Sequence, residues 1–406
     1  MKRSGPALLA AIVAIAIALR FVAMLILKQP LQSDALSYFT MAKGLASNGE
    51  LLDNFGQHVF YSAGYPLFLA PFFVVLGAGV PVALAINLLL AGISVWLIYR
   101  LALTLSSDPQ AGLLGALVFA LWFPGIWNAT VLAKENLSTP LLLALTLSAV
   151  GVARGGTLVA IVAGLLWGVA LITGGSALLL CTGVGVALIL LWRREGRFRP
   201  AFRSGLCFLL GALLTLGPWL YATDRMVGRP VLTTNAAFNL YIGNNPAATG
   251  RFVSIADTPL GKDWNATRLQ LGEVANSNRL QSAALQWVSE NPARAGGLAL
   301  LKLGYFWEPN VPDTADFATS RAIASIRLIE VAEYLVILVA GFTAFRSRLI
   351  ARDDKWILAA MIAGFWLIHA TAYIIARYRD PVIPLLIVMG SIPVAAWLRK
   401  VVSHAR

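Results

Sequence analysis

Charged residues are scarce in this chain. Asp, Glu, Lys and Arg make up 13% of its 406 residues, against roughly 25% in an ordinary soluble domain. Hydrophobic residues make up 58%, and they form continuous runs of about 18 residues or more, long enough to cross a hydrocarbon core of about 30 Å. Because these runs are continuous and do not alternate with polar residues, they predict spanning helices and not the strands of a barrel. The sequence therefore predicts an all-α, polytopic integral membrane protein.

Cysteine and histidine are also scarce. Cys181 and Cys207 each lie inside an apolar run and outside any Cys-x-x-Cys pattern, so they indicate neither a disulfide framework nor a metal site. The three histidines form no zinc-binding pattern, and the chain has no Gly-x-x-x-x-Gly-Lys-Ser/Thr loop and no dinucleotide fingerprint. These absences argue against a zinc enzyme and against a machine driven by nucleotide hydrolysis.

The net charge of +13 does not predict a nucleic-acid partner. Most of the excess Lys and Arg lies in short connections between apolar runs, which is the pattern of cytoplasmic loops in membrane proteins. If the N-terminus is cytoplasmic, the basic connections all fall on the cytoplasmic side. These connections contain Arg100, Arg154, 193–199, 346–348 and 399–400.

Ten apolar runs are predicted to cross the membrane. The first remains attached as a spanning helix, because its exit at 28–30 lacks a small-residue cleavage site. The run 64–79 is near the lower length limit for crossing, and a crossing there would place the strongest basic loop outside, so we predict a re-entrant or surface-lying helix. The predicted spans are 7–28, 80–104, 110–127, 135–153, 157–173, 175–192, 203–222, 324–345, 355–376 and 381–398.

The predicted spans divide the chain into three parts. An N-terminal transmembrane module occupies 1–222 and has surface helices in its first loop, 29–79. An extracytoplasmic loop region follows at 223–323, and the C-terminal transmembrane helices occupy 324–406. Within the first loop, apolar residues at helical spacing predict a surface helix with Ser33 as its N-cap and a stop at 48–49.

Ionisable residues at a membrane boundary are costly, so each of them suggests a function. Asp34 and Glu135 both lie on the predicted extracytoplasmic side, although an acid in the first turn of a helix is also favoured by the helix dipole alone. Arg377 and Arg379 lie on the same side, against the positive-inside trend, and a guanidinium binds phosphate through two parallel hydrogen bonds. The alternative is an internal ion pair of either arginine with Asp380.

Several blocks of sequence, in this order and on these predicted sides, resemble the polytopic glycosyltransferases of the GT-C fold. The likeness is to the bacterial family 39 proteins, which are related to protein O-mannosyltransferases and to the aminoarabinose transferases of lipid A. The blocks are Asp34-Ala35 to Leu45, Tyr61 to Leu69, Lys134-Glu135-Asn136-Leu137, Pro218 to Gly250 with its Gly243-Asn244-Asn245-Pro246 turn, and Arg377-Tyr378-Arg379 with Pro381.

The resemblance implies a bundle of about ten to eleven spanning helices with extracytoplasmic surface helices and one large extracytoplasmic loop. It also implies transfer of one sugar from a polyprenyl-phosphate donor to an acceptor hydroxyl, with inversion. Asp34 would act as the general base or hold a divalent cation, Mg or Mn, together with Glu135, the second acid. The donor phosphate would bind Arg377, Arg379 and Lys134. The candidates for lining the substrate pocket are Tyr38, Tyr61, Tyr65, Asn244 and Asn245.

The sequence departs from the family pattern at two positions. Ala35 stands where many members have a second acid, and Gly174-Gly175 stands where many have Arg-Pro. The implied partners are the lipid-linked sugar donor, membrane lipids and an acceptor protein, glycolipid or polysaccharide. The implied location is the bacterial cytoplasmic membrane, with the active site on its extracytoplasmic side.

Two other functions remain open at this stage. A transporter or flippase of a lipid-linked saccharide would also carry carboxylates and arginines, but transporters often show internal repeats, and no pair of repeats is evident here. The departures at Ala35 and Gly174 also fit a non-catalytic subunit of a membrane assembly.

Overall fold

The computed structural model describes residues 4–312 and 320–404, so the predicted loop region 223–323 is described except for 313–319. Within these ranges the chain forms 17 α-helices and no strand, which confirms the predicted all-α class. The first ten helices are α1 (Ser4–Leu27), α2 (Ser33–Asn48), α3 (Gly64–Leu76), α4 (Val80–Ser106), α5 (Pro109–Leu121), α6 (Phe123–Ala129), α7 (Glu135–Ala153), α8 (Thr157–Thr173), α9 (Cys181–Glu195) and α10 (Phe198–Val227). The others are α11 (Asn235–Gly243), α12 (Trp264–Leu271), α13 (Glu273–Glu290), α14 (Pro292–Trp307), α15 (Arg321–Thr343), α16 (Arg352–Leu367) and α17 (Ile383–His404).

The chain is a multi-pass membrane protein. Seven helices of the described residues are long and apolar enough to cross a membrane, and there are eight spans if the bent pair α5 and α6 counts as one. The predicted ten are reached only if α8 and α16 also cross, with 17 and 16 residues. The predicted span 355–376 is too long, because α16 ends at Leu367 and a 3₁₀ turn follows. With 13 residues, α3 is shorter than a crossing requires.

Glycines allow α8 and α10 to pack in close contact. A Cβ added at Gly164 would lie 2.0 Å from the Phe208 carbonyl oxygen, and one at Gly211 would lie 2.1 Å from the Ile161 carbonyl oxygen. Small residues at such positions let helix backbones approach within van der Waals distance in a membrane. A side chain at either position would push the two helices apart.

The predicted span 110–127 is broken at Trp122, where α5 and α6 meet at 58°. Buried Arg20 of α1 donates hydrogen bonds of 3.1 Å to the carbonyl oxygens of Phe119 and Ala120, which end α5. On the other side of the break, the Glu333 carboxylate of α15 accepts a hydrogen bond of 3.0 Å from the Phe123 backbone N–H. Each charge matches the helix end that it contacts, a cation at the C-terminus and an anion at the N-terminus. The bend is therefore a stabilised part of the fold.

Two of the basic connections that were predicted to share one side, at Arg154 and at 399–400, lie together at one end of the bundle, where Arg154 also donates a hydrogen bond to the Thr104 carbonyl oxygen near Asp108. Arg154, which follows α7, forms an ion pair of 3.0 Å with Asp354 at the start of α16. Arg399 near the end of α17 pairs with Asp108, the N-cap of α5. Both contacts lie at the C-terminal end of α7, whereas Glu135 begins that helix.

Helices α11 to α14 form a lobe that holds the segment between α16 and α17. The Asn244 side chain donates a hydrogen bond of 2.8 Å to the Thr371 carbonyl oxygen. The Ile374 backbone N–H donates one of 2.9 Å to the Gly250 carbonyl oxygen. A Cβ added at Gly243 would lie 2.5 Å from the Ala372 carbonyl carbon, so glycine is required for this approach. The lobe thus fixes the stretch that leads to Arg377.

Candidate active site

Asp34 lies in the first turn of α2, a surface helix whose buried face includes Ala35, Tyr38 and Met41. The predicted helix is confirmed, and it ends where Gly49 adopts a φ of 76°, a conformation that suits glycine. The predicted N-cap is wrong by one residue, since Gln32 is the cap and Ser33 is the first helical residue. The carboxylate of Asp34 is 36% exposed, so a substrate has access to it.

Three predicted site residues from distant parts of the sequence meet beside this helix. The Arg377 Nη2 atom lies 2.6 Å from Asp34 Oδ2, and the Arg377 Nε atom lies 3.8 Å from Glu135 Oε1. Glu135 is buried, with 7% of its side chain exposed, whereas Arg377 is 39% exposed. The Nε atom is itself buried and has no hydrogen-bond partner. One guanidinium therefore serves two carboxylates and retains an unused donor.

Electrostatics keeps this arginine charged. Burial lowers the pKa of Arg377, but Glu135 and Asp34 more than reverse this effect, and the net pKa lies above its ordinary value. Its guanidinium faces two carboxylates and solvent, so an anion from solvent that binds it would be the third that it contacts. The cluster thus holds two carboxylates and one guanidinium at one surface.

Arg379 lies elsewhere. It is 5% exposed, it donates a hydrogen bond to the Glu308 carbonyl oxygen, and its guanidinium carbon lies 4.3 Å from the centre of the Tyr334 ring. Asp380 accepts a hydrogen bond of 2.7 Å from Asn128, and burial raises the pKa of Asp380 to about 7. The partner of Arg377 is thus Asp34, and the alternative pairing of this arginine with Asp380 is not what the structure contains.

Lys134 lies next to the second departure from the family pattern. A Cβ added at Gly174 would lie 3.6 Å from Lys134 Nζ. Among the described residues Lys134 has no hydrogen-bonded or ion-paired side-chain partner, and its side chain is half-buried. The Lys134 ammonium group therefore lies beside the point where a side chain at position 174 would begin.

The three tyrosine candidates form an aromatic wall beside Asp34. Tyr38 packs edge-on against Tyr61 and Tyr65, with 5.8 Å between ring centres in both pairs. The Tyr65 hydroxyl donates a hydrogen bond of 2.6 Å to Asn87, so this residue ties α3 to α4. Tyr61 is only half-buried, and burial and the nearby Asp34 carboxylate raise its pKa to about 12. Tyr61 is therefore a neutral hydroxyl at physiological pH.

The two asparagine candidates use their side chains within the lobe. The Asn244 amide donates to the Leu240 and Thr371 carbonyl oxygens and accepts a bond of 3.1 Å from buried Lys302. The Asn245 side chain bonds the backbone of its own turn. The structure does not bring these amides to the acid cluster, and their contacts position the lobe.

The divalent cation that the sequence suggests at Asp34 and Glu135 stays a prediction. Asp34 and Glu135 are bridged by Arg377, and no group of three or more His, Cys, Asp or Glu side chains within the described part of the chain could hold a metal ion. Arg377 places one positive charge beside these two carboxylates, so a cation between them would compete with its guanidinium.

Sequence reasoning passed over Arg20 and Lys302. Arg20 is fully buried in α1, and its charge within an apolar run is the signal that identifies it. Lys302 is fully buried with Asn244 as its hydrogen-bond partner. The amphipathic pattern predicts Lys302 off the apolar face of its helix, and this prediction is wrong, because the side chain is buried.

No protein-family model matches the sequence, and no curated protein matches it. Among solved structures, the archaeal oligosaccharyltransferase AglB from Archaeoglobus fulgidus, in complex with an inhibitory peptide and a dolichol-phosphate, matches 100% of this chain at a TM-score of 0.54 and 11% identity. This chain has the GT-C fold. It spans 52% of the length of the archaeal protein. ArnT from Cupriavidus metallidurans, bound to undecaprenyl phosphate, matches 96% of this chain and 78% of its own length, at a TM-score of 0.49 and 14% identity.

Proposed function

We propose that this GT-C protein is a membrane glycosyltransferase that moves one sugar from a polyprenyl-phosphate donor to an acceptor hydroxyl, with inversion, at the extracytoplasmic face. The observation that carries the proposal is the meeting of Asp34, Glu135 and Arg377 at one surface of the bundle. The archaeal oligosaccharyltransferase of the same fold was solved with a dolichol-phosphate, a lipid phosphate of the proposed donor class. The polyprenyl tail would lie in the bilayer and so position the phosphate at the membrane surface.

The reaction needs a base on one face of the sugar and charge stabilisation for the phosphate that leaves from the other. Asp34 takes the proton of the acceptor hydroxyl while the acceptor oxygen attacks the anomeric carbon. The bond from that carbon to the phosphate oxygen breaks, and polyprenyl phosphate leaves with the electron pair. Arg377 and Lys134 stabilise the negative charge on the leaving phosphate, and Glu135 keeps Arg377 in place.

The pairing of Arg377 with Asp34 supports an order of events. While Arg377 is hydrogen-bonded to Asp34 Oδ2 at 2.6 Å, that oxygen is occupied and does not accept the proton of an acceptor hydroxyl. A donor phosphate offers Arg377 two oxygens in the geometry that its fork requires. When the arginine turns to the phosphate, Asp34 is released to act as a base. Donor binding thus activates the base in this scheme, and no proton is taken before a donor is bound.

Lys134 takes the place of the cation that Gly174 cannot supply. Its ammonium group is close to the point where an arginine side chain at position 174 would begin, and it belongs to the residue that precedes Glu135. The departure from the family pattern at Gly174 is therefore compensated within the same site. Arg379, which is buried against Glu308 and Tyr334, serves to fix the turn that carries Arg377.

The test is a transfer assay with the purified protein in lipid vesicles. Synthetic polyprenyl phosphates bearing different single labelled sugars are supplied, and release of the sugar to water or to an added acceptor is measured. We expect turnover with at least one donor, inversion at the anomeric carbon, and the same rate in excess EDTA. A flippase would move labelled lipid between leaflets without cleavage, and an assembly subunit would do neither.

The proposed side of the active site is tested separately. In a variant whose Cys181 and Cys207 are replaced by alanine, single cysteines are introduced at the exposed positions Asn54, Arg197 and Asn278. A membrane-impermeant thiol reagent applied to intact cells is expected to label the sites at Asn54 and Asn278. Labelling of the Arg197 site instead would place the acid cluster in the cytoplasm.

A further inference from the structure

Helices α9 and α10 form a hairpin with an open groove between them. The groove has a volume of about 380 Å³, and every residue that lines it is apolar. Leu188 and Trp192 of α9 line one wall, and Phe198, Phe202 and Phe208 of α10 line the other. The groove is open to the outside, since Phe198 and Phe202 are 61% and 52% exposed. Its volume is within the range of small-molecule sites, and its lining suits a hydrocarbon chain.

A glycine makes room in this groove. A Cβ added at Gly205, which lines the groove on α10, would lie 3.6 Å from the Leu188 Cδ1 atom, an ordinary contact distance. At Gly164 and Gly211 an added Cβ would instead lie about 2 Å from a backbone oxygen of the facing helix. Those two glycines are required for the packing of α8 against α10. Gly205 is not required for helix packing, and its effect is to keep the groove empty of protein.

Aromatic rings stand side by side at the end of the groove that is nearest the hairpin turn. The ring centres of Trp192 and Phe198 are 6.2 Å apart, and those of Phe198 and Phe202 are 5.6 Å apart. Tryptophan is enriched at the level of the lipid headgroups. The position of Trp192 therefore indicates that this end of the groove lies at the membrane surface, and that Gly205 lies deeper, beside the hydrocarbon core.

The same end of the groove is rich in positive charge. Segment 193–203 has five arginines and one acid, Glu195, so its net charge is +4. Each of the three aromatic rings at this end has an arginine as its neighbour in the sequence, and all of these arginines are exposed. The arginines are Arg193, Arg194, Arg197, Arg199 and Arg203. The groove thus combines an apolar floor with a cationic mouth.

The protein itself does not neutralise these arginines. Among the described residues, no side chain forms an ion pair or a hydrogen bond with any of the five guanidinium groups. Other arginines of the predicted basic connections are paired, Arg154 with Asp354 and Arg399 with Asp108. The guanidinium groups of the hairpin are therefore available to an anion from outside the protein.

The groove lies at the end of the bundle opposite the acid cluster. A Cβ added at Gly155 would lie 4.0 Å from Leu191 of α9, so the C-terminal end of α9 lies beside Arg154. Arg377 lies at the other end of α7, with Glu135. A lipid in the groove would belong to the opposite leaflet from one whose phosphate binds Arg377. The occupant of the groove is therefore a different lipid from the proposed donor.

We propose that the α9–α10 groove is a binding site for one anionic phospholipid of the bilayer. One acyl chain fills the groove over Gly205, and the phosphate binds the arginines of segment 193–203. Clusters of four to eight basic residues beside a spanning helix attract anionic headgroups, and a guanidinium binds phosphate through two hydrogen bonds. A zwitterionic lipid has the same chains and no net charge, so the charge of +4 selects against it. The inference does not depend on the proposed function.

The experiment compares two lipid probes in vesicles of phosphatidylcholine that contain the full-length protein. Phosphatidylglycerol and phosphatidylcholine with identical chains each carry a photoreactive diazirine on one chain. The labelled peptides are identified by mass spectrometry after illumination. Unlabelled phosphatidylglycerol and undecaprenyl phosphate are added separately as competitors at equal concentration.

Two changes test the two parts of the site. Gly205→Leu fills the groove, and Gly217→Leu is its matched control, because a Cβ there would also lie 3.6 Å from a leucine Cδ1 atom, outside the groove. Arg197→Gln with Arg199→Gln removes two charges at the mouth. Arg346→Gln with Arg348→Gln is the control, since these two arginines are also exposed but belong to another connection.

We expect the phosphatidylglycerol probe to label segment 188–209 at least about tenfold more than the phosphatidylcholine probe, because each arginine near an anionic headgroup favours binding by about fivefold. Gly205→Leu should reduce this labelling to the level of the phosphatidylcholine probe. The variant with Arg197→Gln and Arg199→Gln should remove most of the preference for phosphatidylglycerol. Both controls should label as the wild type does.

Three results would overturn the proposal. Equal labelling by the two probes would mean that ordinary bilayer lipid fills the groove. Stronger competition by undecaprenyl phosphate than by phosphatidylglycerol would assign the groove to a polyprenyl lipid. An equal loss of preference in the two arginine pairs would mean that only the overall charge of the surface acts. If Gly205→Leu fails to fold, the arginine pairs decide the matter, because their side chains are exposed.

Discussion

Helix α7 has an arginine and a buried acid at each of its ends, and the two arrangements differ. At its C-terminal end the exposed Arg154 meets one acid, Asp354, at 3.0 Å, and the same guanidinium nitrogen also donates to the Thr104 carbonyl oxygen. At its N-terminal end Arg377 meets two acids, Asp34 and Glu135, and its buried Nε remains without a hydrogen bond. The first end balances its charges through direct contacts.

At the N-terminal end of α7, one arginine faces two acids. Both arginines are comparably exposed, at 46% and 39%, and each has a carboxylate partner that is 7% exposed. Burial alone therefore does not distinguish them. The difference is that Arg377 meets a second acid, and that the side chain of Asp34 is itself 36% exposed. This comparison gives each prediction at the Asp34 end a control at the Arg154 end.

The largest effect is expected for Asp34→Asn. Asparagine keeps the shape of the side chain but cannot take a proton, and general-base catalysis is typically worth about 10² to 10⁴ in rate. The transfer rate should fall by that factor while the melting temperature stays close to that of the wild type. Asp354→Asn is the matched control and should retain most of the rate. A rate above about a third of wild type in Asp34→Asn would remove this residue from the mechanism.

The next effect is expected for Arg377→Lys. Lysine keeps the positive charge, but its ammonium group cannot form the two parallel hydrogen bonds that a guanidinium makes to a phosphate. A charge-assisted hydrogen bond contributes roughly 1.5–3 kcal/mol. Donor affinity should therefore weaken by about tenfold to a hundredfold. Arg154→Lys should leave donor affinity unchanged. If Arg377→Lys lowers the melting temperature and leaves donor affinity intact, the arginine is structural and Lys134 becomes the main phosphate ligand.

The sequence predicted which residues meet at the N-terminal end of α7 better than it predicted where the spanning helices bend and end. Charge placement put Asp34, Glu135 and Arg377 on one predicted side of the membrane, because the positive-inside rule constrains whole loops, and the resemblance to the GT-C glycosyltransferases grouped them in one site. Charge placement did not distinguish Arg377, which meets the two acids, from Arg379, which does not. Both lie in one 3₁₀ turn, where residues two apart point in different directions, so neighbours in sequence have different partners.

Bends were missed for a related reason. Hydropathy measures how apolar a run is and not whether it is straight, so the break at Trp122 was included in one span. The contacts that fix this break come from Arg20 and Glu333, which lie far away in the sequence. The end of α16 at Leu367 was missed similarly, because the residues that follow it remain apolar while their backbone bonds the lobe.

A smaller effect tests how the lobe holds the Arg377 segment. Burial lowers the pKa of Lys302 to about 8, below its ordinary value, so between about pH 8 and 10.5 the unfolded chain binds more protons than the folded one. Stability should therefore rise with pH across that window, by about 2 to 5 °C in melting temperature. Lys302→Met should abolish the rise, and Lys262→Met, at an exposed position, should keep it. An unchanged slope in Lys302→Met would mean that this lysine is hydrated.

The smallest effect on transfer is expected at the Arg154 end, for Arg154→Gln. Exposed ion pairs contribute about 0.2–1 kcal/mol, and Arg154 is 46% exposed, so its direct contribution is small. Its loss also leaves the buried Asp354 carboxylate without its cation, which costs more than the pair itself contributes. The single variant should thus melt at a lower temperature, and Arg154→Gln with Asp354→Asn should recover part of the loss. The transfer rate of the single and of the double variant should stay within about twofold of wild type. The reason is that this ion pair lies at the far end of α7 and touches no reacting group. At 1.5 Å per residue, that end is about 28 Å from Glu135. A loss of transfer as large as that of Arg377→Lys would show that the two ends of α7 act alike, and that the effects at Arg377 reflect folding.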